Sequence, residues 1–256
     1  MVGTGPGHID HLSQRAREVL AQSDTIVGYG TYIDLIRPLI GDREVVRTGM
    51  TREVERVTAA IERAMDGRRV ALVSSGDPGI YAMAGLVLEI CAARGIAAGP
   101  ARENEATDSL CIEVVPGIPA MCAGAALLGA PLTHDFATIS LSDLLTPWET
   151  IERRIAAAAR ADFVIVFYNP KSRRRDWQLA RARDIILESR DGRTPVGIVT
   201  AAQRPGQQIH ITTLDRLQAA PVDMQTIVFV GNLSTRTFGE FMFTPRGYAH
   251  KYAIDG

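Results

Sequence analysis

Residues 70–83 read VALVSSGDPGIYAM, and this stretch decides the fold. Val70 to Val73 is a short apolar run of strand length, and Ser74-Ser75-Gly76-Asp77-Pro78-Gly79 follows it at once as a loop of small and turn-forming residues. Upstream, Val54, Val57, Ile61, Ala64 and Met65 recur at helical spacing, with Thr51 placed to cap the helix and Gly67 to close it. Downstream, residues 84–94 carry a second helical pattern, with Pro78 placed to open that helix at its first turn. Helix, buried strand, glycine loop and helix in succession form the crossover unit of an α/β fold with mostly parallel sheets.

The same alternation extends in both directions. Strands are expected at 25–27, 113–115, 163–168, 196–200 and 226–230, and helices at 13–22, 148–159 and 176–188. No Ser/Gly linker marks a boundary; the small-residue helix after Pro119 is the best one, giving an N-terminal α/β domain over 1–120 and a C-terminal one over 121–256. Residues 114–134 lack Asp, Glu, Lys and Arg, but Pro116, Pro119 and Pro131 with Gly117, Gly124 and Gly129 break the run. It reads as a buried segment between the domains rather than a membrane span. Residues 99–109 are polar and turn-rich, an expected exposed loop.

Composition narrows the function. Over 256 residues, 28 Lys and Arg balance 29 Asp and Glu, and 46% of residues are hydrophobic, which suits a globular core and leaves no basic footprint for nucleic acid. Cys91, Cys111 and Cys122 are too few and too far apart for a disulfide framework or a zinc site, and fit a reducing cytoplasm; no metal site is expected. The glycine loop follows Met1 and Val2 with no charged and apolar run before it, so no targeting segment is expected. The loop at Gly3 leaves Met1 and Val2 for the strand that should precede it, against a usual length of about 5 to 6 residues, so a few apolar residues are expected upstream.

Glycine and small polar residues collect just after the strands, in Gly3-Thr4-Gly5-Pro6-Gly7, Ser74 to Gly79, Pro116-Gly117-Ile118-Pro119 and Asn169-Pro170-Lys171-Ser172. Open α/β sheets bind ligands outside the carboxyl ends of their strands, so several such loops on one edge describe a pocket. A dinucleotide fingerprint fits the first loop poorly, because Gly7 follows Gly5 by two residues where three are wanted, and Pro6 removes a backbone donor. Asp77 is positioned either to cap the following helix or to meet a cationic ligand.

Together these loops resemble the ligand loops of the tetrapyrrole (precorrin) methyltransferases. The stretches DFATISLSDLLTPW (135–148), FYNPK (167–171), Pro195-Val196-Gly197, Val230-Gly231-Asn232 and TPRGY (244–248) resemble the subgroup that methylates C-17 of precorrin-3B in cobalamin synthesis. The resemblance covers essentially the whole chain. It implies two α/β domains with the active cleft between them, a homodimer, and S-adenosylmethionine as cofactor. Carried over by position, the cofactor would meet Pro6, Ser75, Gly76, Asp77, Ile80, Pro119, Ala120, Tyr168, Asn169, Ala202, Gly231 and Thr244. It also leaves open the cobalt-factor III substrate of the anaerobic route and other methyltransferases of the same fold.

The reaction so implied combines methyl transfer, which asks mainly for position, with ring contraction, in which a C-20 hydroxyl loses a proton to a base. Tyr168, His134, Asp135 and Asp143 are the candidates for that proton chemistry, with Ser140 and Ser142 beside them. Asp143 has a rival reading as a helix cap, and His134 as a satisfied histidine at a strand start. A macrocycle fringed with carboxylates asks for cationic donors, so Ser142, Lys171, Arg173 and Arg246 are candidate substrate contacts; the run Arg173 to Arg175 has the competing reading of a solvated helix face. Neither nucleic acid nor membrane is expected as a partner.

Overall fold

A computed structural model describes residues 1–100, 109–172 and 175–254 of the chain. The chain divides into two compact units, Met1–Ala120 and Met121–Gly256. The first contains β1 (Val2–Gly3), α1 (Gln14–Gln22), β2 (Thr25–Tyr29), α2 (Gly30–Leu35), α3 (Arg37–Ile40), β3 (Glu44–Thr48), α4 (Glu53–Met65), β4 (Val70–Ser74), α5 (Ala84–Ala93), β5 (Ala98–Gly99) and β6 (Leu110–Cys111). Its main sheet has the order β1-β4-β2-β3 and every ladder in it is parallel. Alternation along the strands sends Ile26, Ala71 and Val73 to one face, packed with Leu20, Ile33 and Ile40, and Val27 and Leu72 to the other, packed with Val57, Ile61 and Val87. Both faces are therefore covered by helices, which is what a parallel sheet requires.

The second unit contains α6 (Ala120–Leu128, beginning one residue before it), β7 (Gly129–Ala130), β8 (Phe136–Ser140), α7 (Trp148–Arg160), β9 (Val164–Tyr168), α8 (Gln178–Leu187), β10 (Pro195–Thr200), β11 (Gln208–Thr213), β12 (Thr226–Val230), β13 (Arg236–Phe238) and β14 (Phe241–Phe243). The five-stranded sheet runs β11-β10-β12-β9-β8. Only β8 and β9, joined through α7, pair in parallel within it; β10 meets both β11 and β12 antiparallel. The reason is local: no α-helix follows β10, whose chain reverses through Ala201 to Gln207 with Gly206 at φ +85. Across the described residues parallel ladders still outnumber antiparallel ones.

Some expectations are corrected in detail. The 113–115 strand is reduced to a bridge between Val2 and Val115. The charge-free segment contains the boundary at Ala120, and its helix α6 packs on the second unit's sheet: a Cβ on Gly124 would stand 2.9 Å from Phe229, and one on Gly197 only 2.4 Å from Leu128, so α6 lies close enough to exclude larger residues. Thr51 does not cap α4; Arg52 occupies that position and Thr51 turns to φ 64. Most of the loop expected over 99–109, residues 101–108, lies outside the described residues.

Candidate functional site

At the carboxyl ends of β1 and β4 three loops of the first unit lock together through their backbones. Gly5 and Gly76 exchange both hydrogen bonds, at 3.2 and 2.7 Å, and Thr4 donates its N–H to the Ser74 carbonyl at 2.8 Å. A Cβ on Gly117 would stand 2.2 Å from the Gly76 carbonyl oxygen, and one on Gly3 2.6 Å from the Gly117 nitrogen. Glycine is required at both positions by close backbone approach. Asp77 completes the lock: one carboxylate oxygen accepts from the Gly79 N–H at 2.7 Å and the other from the Gly117 N–H at 3.1 Å.

This corrects the reading of Asp77 and Pro78 as the start of a helix. The chain turns through Gly79 to Met83, with Tyr81 at φ 51, and α5 begins only at Ala84, with Met83 at its N-cap. Pro6 and Gly76 are buried and Ser75 and Ile80 half-buried, so the edge offers mainly backbone groups to a ligand. Pro119 and Ala120 stand opposite Gly76, whose Cβ position is 3.5 Å from the Pro119 Cα.

In the second unit, β8 and β9 end side by side at Ser140 and Tyr168. The Ser140 hydroxyl accepts from the Asn169 side-chain amide at 3.0 Å and from the Ser142 N–H at 3.2 Å, with Asn169 held at φ 51. The Tyr168 hydroxyl accepts from the Met121 N–H at 3.1 Å, satisfying a donor in the first turn of α6. Asp143 is not a helix cap, because α7 starts at Trp148 behind Pro147; its carboxylate accepts from the Gln178 amide at 2.9 Å. Burial pushes the Arg175 guanidinium below its ordinary value, with the Asp143 charge acting in the opposite direction.

The profile of the family described as Tetrapyrrole (Corrin/Porphyrin) Methylases matches residues 1–218. The chain belongs to that family. It is 48% identical over 248 residues to a probable cobalt-factor III C(17)-methyltransferase of Salmonella typhimurium, covering 97% of this chain and 98% of that protein. It is 39% identical over 254 residues to a precorrin-3B C(17)-methyltransferase of a Sinorhizobium species, covering 97% and 96%. It is also 47% identical over 255 residues, all of this chain, to a cobalt-factor III methyltransferase of Priestia megaterium, but spans only 46% of that protein's length. Among solved structures, the methyltransferase CobJ superposes with a TM-score of 0.84 at 39% identity, covering 95% of this chain and 98% of that one.

Other motif residues of this tetrapyrrole methylase serve its architecture. Thr244 is fully buried; its hydroxyl donates to the Pro131 carbonyl at 2.8 Å and lies 2.8 Å from the Thr235 hydroxyl. Gly231 is required because a Cβ there would stand 2.7 Å from Thr235. Asp135 continues the β8 ladder at its amino end, where its carbonyl accepts from Val164 N–H at 3.1 Å. At about 3.3 Å per residue, Asp135 lies roughly 16 Å of strand from Ser140. His134 sits beside it, its ring nitrogen accepting from the Asp135 N–H at 2.8 Å, so these two do not join the Ser140, Asp143 and Tyr168 edge. Ala202 is half-buried in the turn after β10, while Lys171 and Arg246 are exposed. Arg173 lies outside the described residues.

Sequence reasoning missed Gln178, which no spacing marks, and the edge-to-face pair Trp148–Trp177 at 4.9 Å between centroids, which fastens the start of α7 to the start of α8. Among the described residues no cluster of His, Cys, Asp or Glu is arranged to hold a metal ion, and no helix is long and apolar enough to cross a membrane.

Proposed function

We propose that the chain transfers a methyl group from S-adenosylmethionine to C-17 of precorrin-3B, with contraction of the macrocycle, in cobalamin synthesis. The observation that carries the reading is near full-length identity to relatives named for C-17 methylation, 39% to one and 48% to another. The backbone-lined glycine edge of the first unit fits the cofactor, with Pro6, Ser75, Gly76, Ile80, Pro119 and Ala120 around it; carbonyl oxygens suit its ammonium and sulfonium. Asp77 shapes that edge, since both its oxygens accept from backbone N–H groups. When bound, the cofactor supplies an electrophilic methyl group.

In the second unit Tyr168 and Asn169 are proposed to border the reacting macrocycle, with Asp143 as the base that takes its proton. Ser142, Lys171 and Arg246 are proposed to meet the macrocycle. The enzyme works as a homodimer in the cytoplasm. A cobalt-bearing macrocycle is a second reading, favoured by the higher identity to relatives named for cobalt-factor III, 47% and 48%, than to the one named for precorrin-3B, 39%. Labelled S-adenosylmethionine offered with both macrocycles tests the proposal: label entering one of them at C-17 supports it and identifies the substrate, and label entering neither refutes it.

A further inference from the structure

Beside Asp143 two buried polar atoms of opposite character have no hydrogen-bond partner among the described residues, the Nε–H donor of Arg175 and the Oε1 acceptor of Gln178. Gln178 is 2% exposed, so its oxygen is closed to bulk solvent and gains no bond there. Its orientation is fixed by the network: the amide nitrogen must face the Asp143 carboxylate, 2.9 Å away, which leaves the oxygen without a donor. A buried acceptor or donor left unmade is destabilising, so two together call for an occupant. Asp143 itself is exposed.

The chemistry of the pair selects the occupant. A carboxylate has no proton for Gln178 and is repelled by Asp143; an ammonium has no lone pair for Arg175. A hydroxyl accepts once and donates once. We propose that Arg175 and Gln178, beside Asp143, form a subsite for a hydroxyl group of the methyl acceptor, whose oxygen accepts from Arg175 Nε–H and whose O–H donates to Gln178 Oε1. This rests on the function proposed above and assigns Gln178 as a positioning residue for that substrate. It also separates Arg175 from the basic residues expected to meet carboxylates.

The chain has two tryptophans, and both flank this cluster, so their fluorescence reports its occupation directly. The full-length protein is titrated with precorrin-3B and with its analogue lacking the ring hydroxyl, whose absorption quenches tryptophan emission. The wild type should bind the hydroxylated macrocycle at least about 10-fold more tightly, because a site built for a hydroxyl is left with unmade bonds by the deoxy analogue. Gln178→Leu should bring the two affinities within about 2-fold of each other while affinity for S-adenosylmethionine, by calorimetry, is kept. Arg175→Lys, at a less buried position, should do the same and covers the case in which the leucine variant fails to fold. Equal affinities in the wild type would mean that water alone fills the subsite and would overturn the proposal, as would a preference that survives both variants. Binding of neither macrocycle would refute the proposed function itself, whereas equal binding of both would leave it standing.

Discussion

Replacing Asp77 by alanine removes two charge-assisted hydrogen bonds, to Gly79 N–H at 2.7 Å and to Gly117 N–H at 3.1 Å. Bonds to charged groups contribute about 1.5–3 kcal/mol each, and the half-buried position of Asp77 points to the lower end, so the first unit should lose about 3 kcal/mol. Asn keeps one acceptor and turns an amide N–H₂ toward the second donor, so Asp77→Asn should lose about half as much. Urea denaturation followed by circular dichroism reads both as midpoint shifts at constant slope. Calorimetry with S-adenosylmethionine separates the two roles. If the carboxylate only holds the loops, Asn should bind within about 3-fold of wild type and Ala about 10-fold more weakly, through loosening of the cradle. An alanine variant as stable as wild type that no longer binds the cofactor would refute the reasoning, since Asp77 would then be a ligand contact whose loop bonds are worth nothing.

Gly117→Ala forces a methyl to 2.2 Å from the Gly76 carbonyl oxygen; with only backbone to displace, it should cost about 3 kcal/mol or more by urea denaturation. Gly85→Ala is the contrasting case, since nothing stands within 4 Å of its Cβ position in α5, and it should stabilise by about 0.5–1 kcal/mol. Arg190→Met removes the donors to the Gly231, Ala158, Ala159 and Phe163 carbonyls and should lower stability by about 3 kcal/mol. Arg69, Arg47, Arg15, Arg181 and Arg193 hold Asp24, Asp34, Glu113, Glu152 and Asp191 below their ordinary pKa values. Because the folded values are depressed, this stabilisation is present above the ordinary carboxylate range and is lost as pH falls through the folded values; urea midpoints should hold from neutral pH to about 5 and decline below about 4.

The first unit is legible because its signals are local. Val70 to Val73 is an apolar run, as is β2, and helical crossovers lie between the two, so periodicity marks both strands, whereas the more exposed β3 carries no such run and is not expected from it. The second unit is less so. Its antiparallel pairs depend on the reversal after Thr200, and β11 carries His210 and two threonines in place of an apolar run, so nothing in it reads as a strand until β10 is beside it. The capping readings of Asp77 and Asp143 fail for one reason: each carboxylate has a distant partner, Gly117 or Gln178, while the helices expected from 84 and 148 begin there without them. Propensity describes the neighbourhood in sequence, and these partners lie 40 and 35 residues away.

The motifs that point to the family therefore divide by what hydrogen-bonding capacity they have left. Gly3, Gly76 and Gly117 leave no room for a side chain, Asp77 has given both oxygens to the backbone, and the Thr244 hydroxyl is occupied by Pro131 and Thr235. Such residues can set the shape of an edge but have nothing with which to tell one macrocycle from another. Discrimination requires a group whose bond is completed only by the right ligand, because an analogue then leaves it unmade at a cost of about 1–3 kcal/mol. Arg175 and Gln178 meet that requirement beside the ends of β8 and β9. A substitution there should change which substrate is accepted while leaving the fold intact, and a substitution at Gly117 or Asp77 should do the reverse.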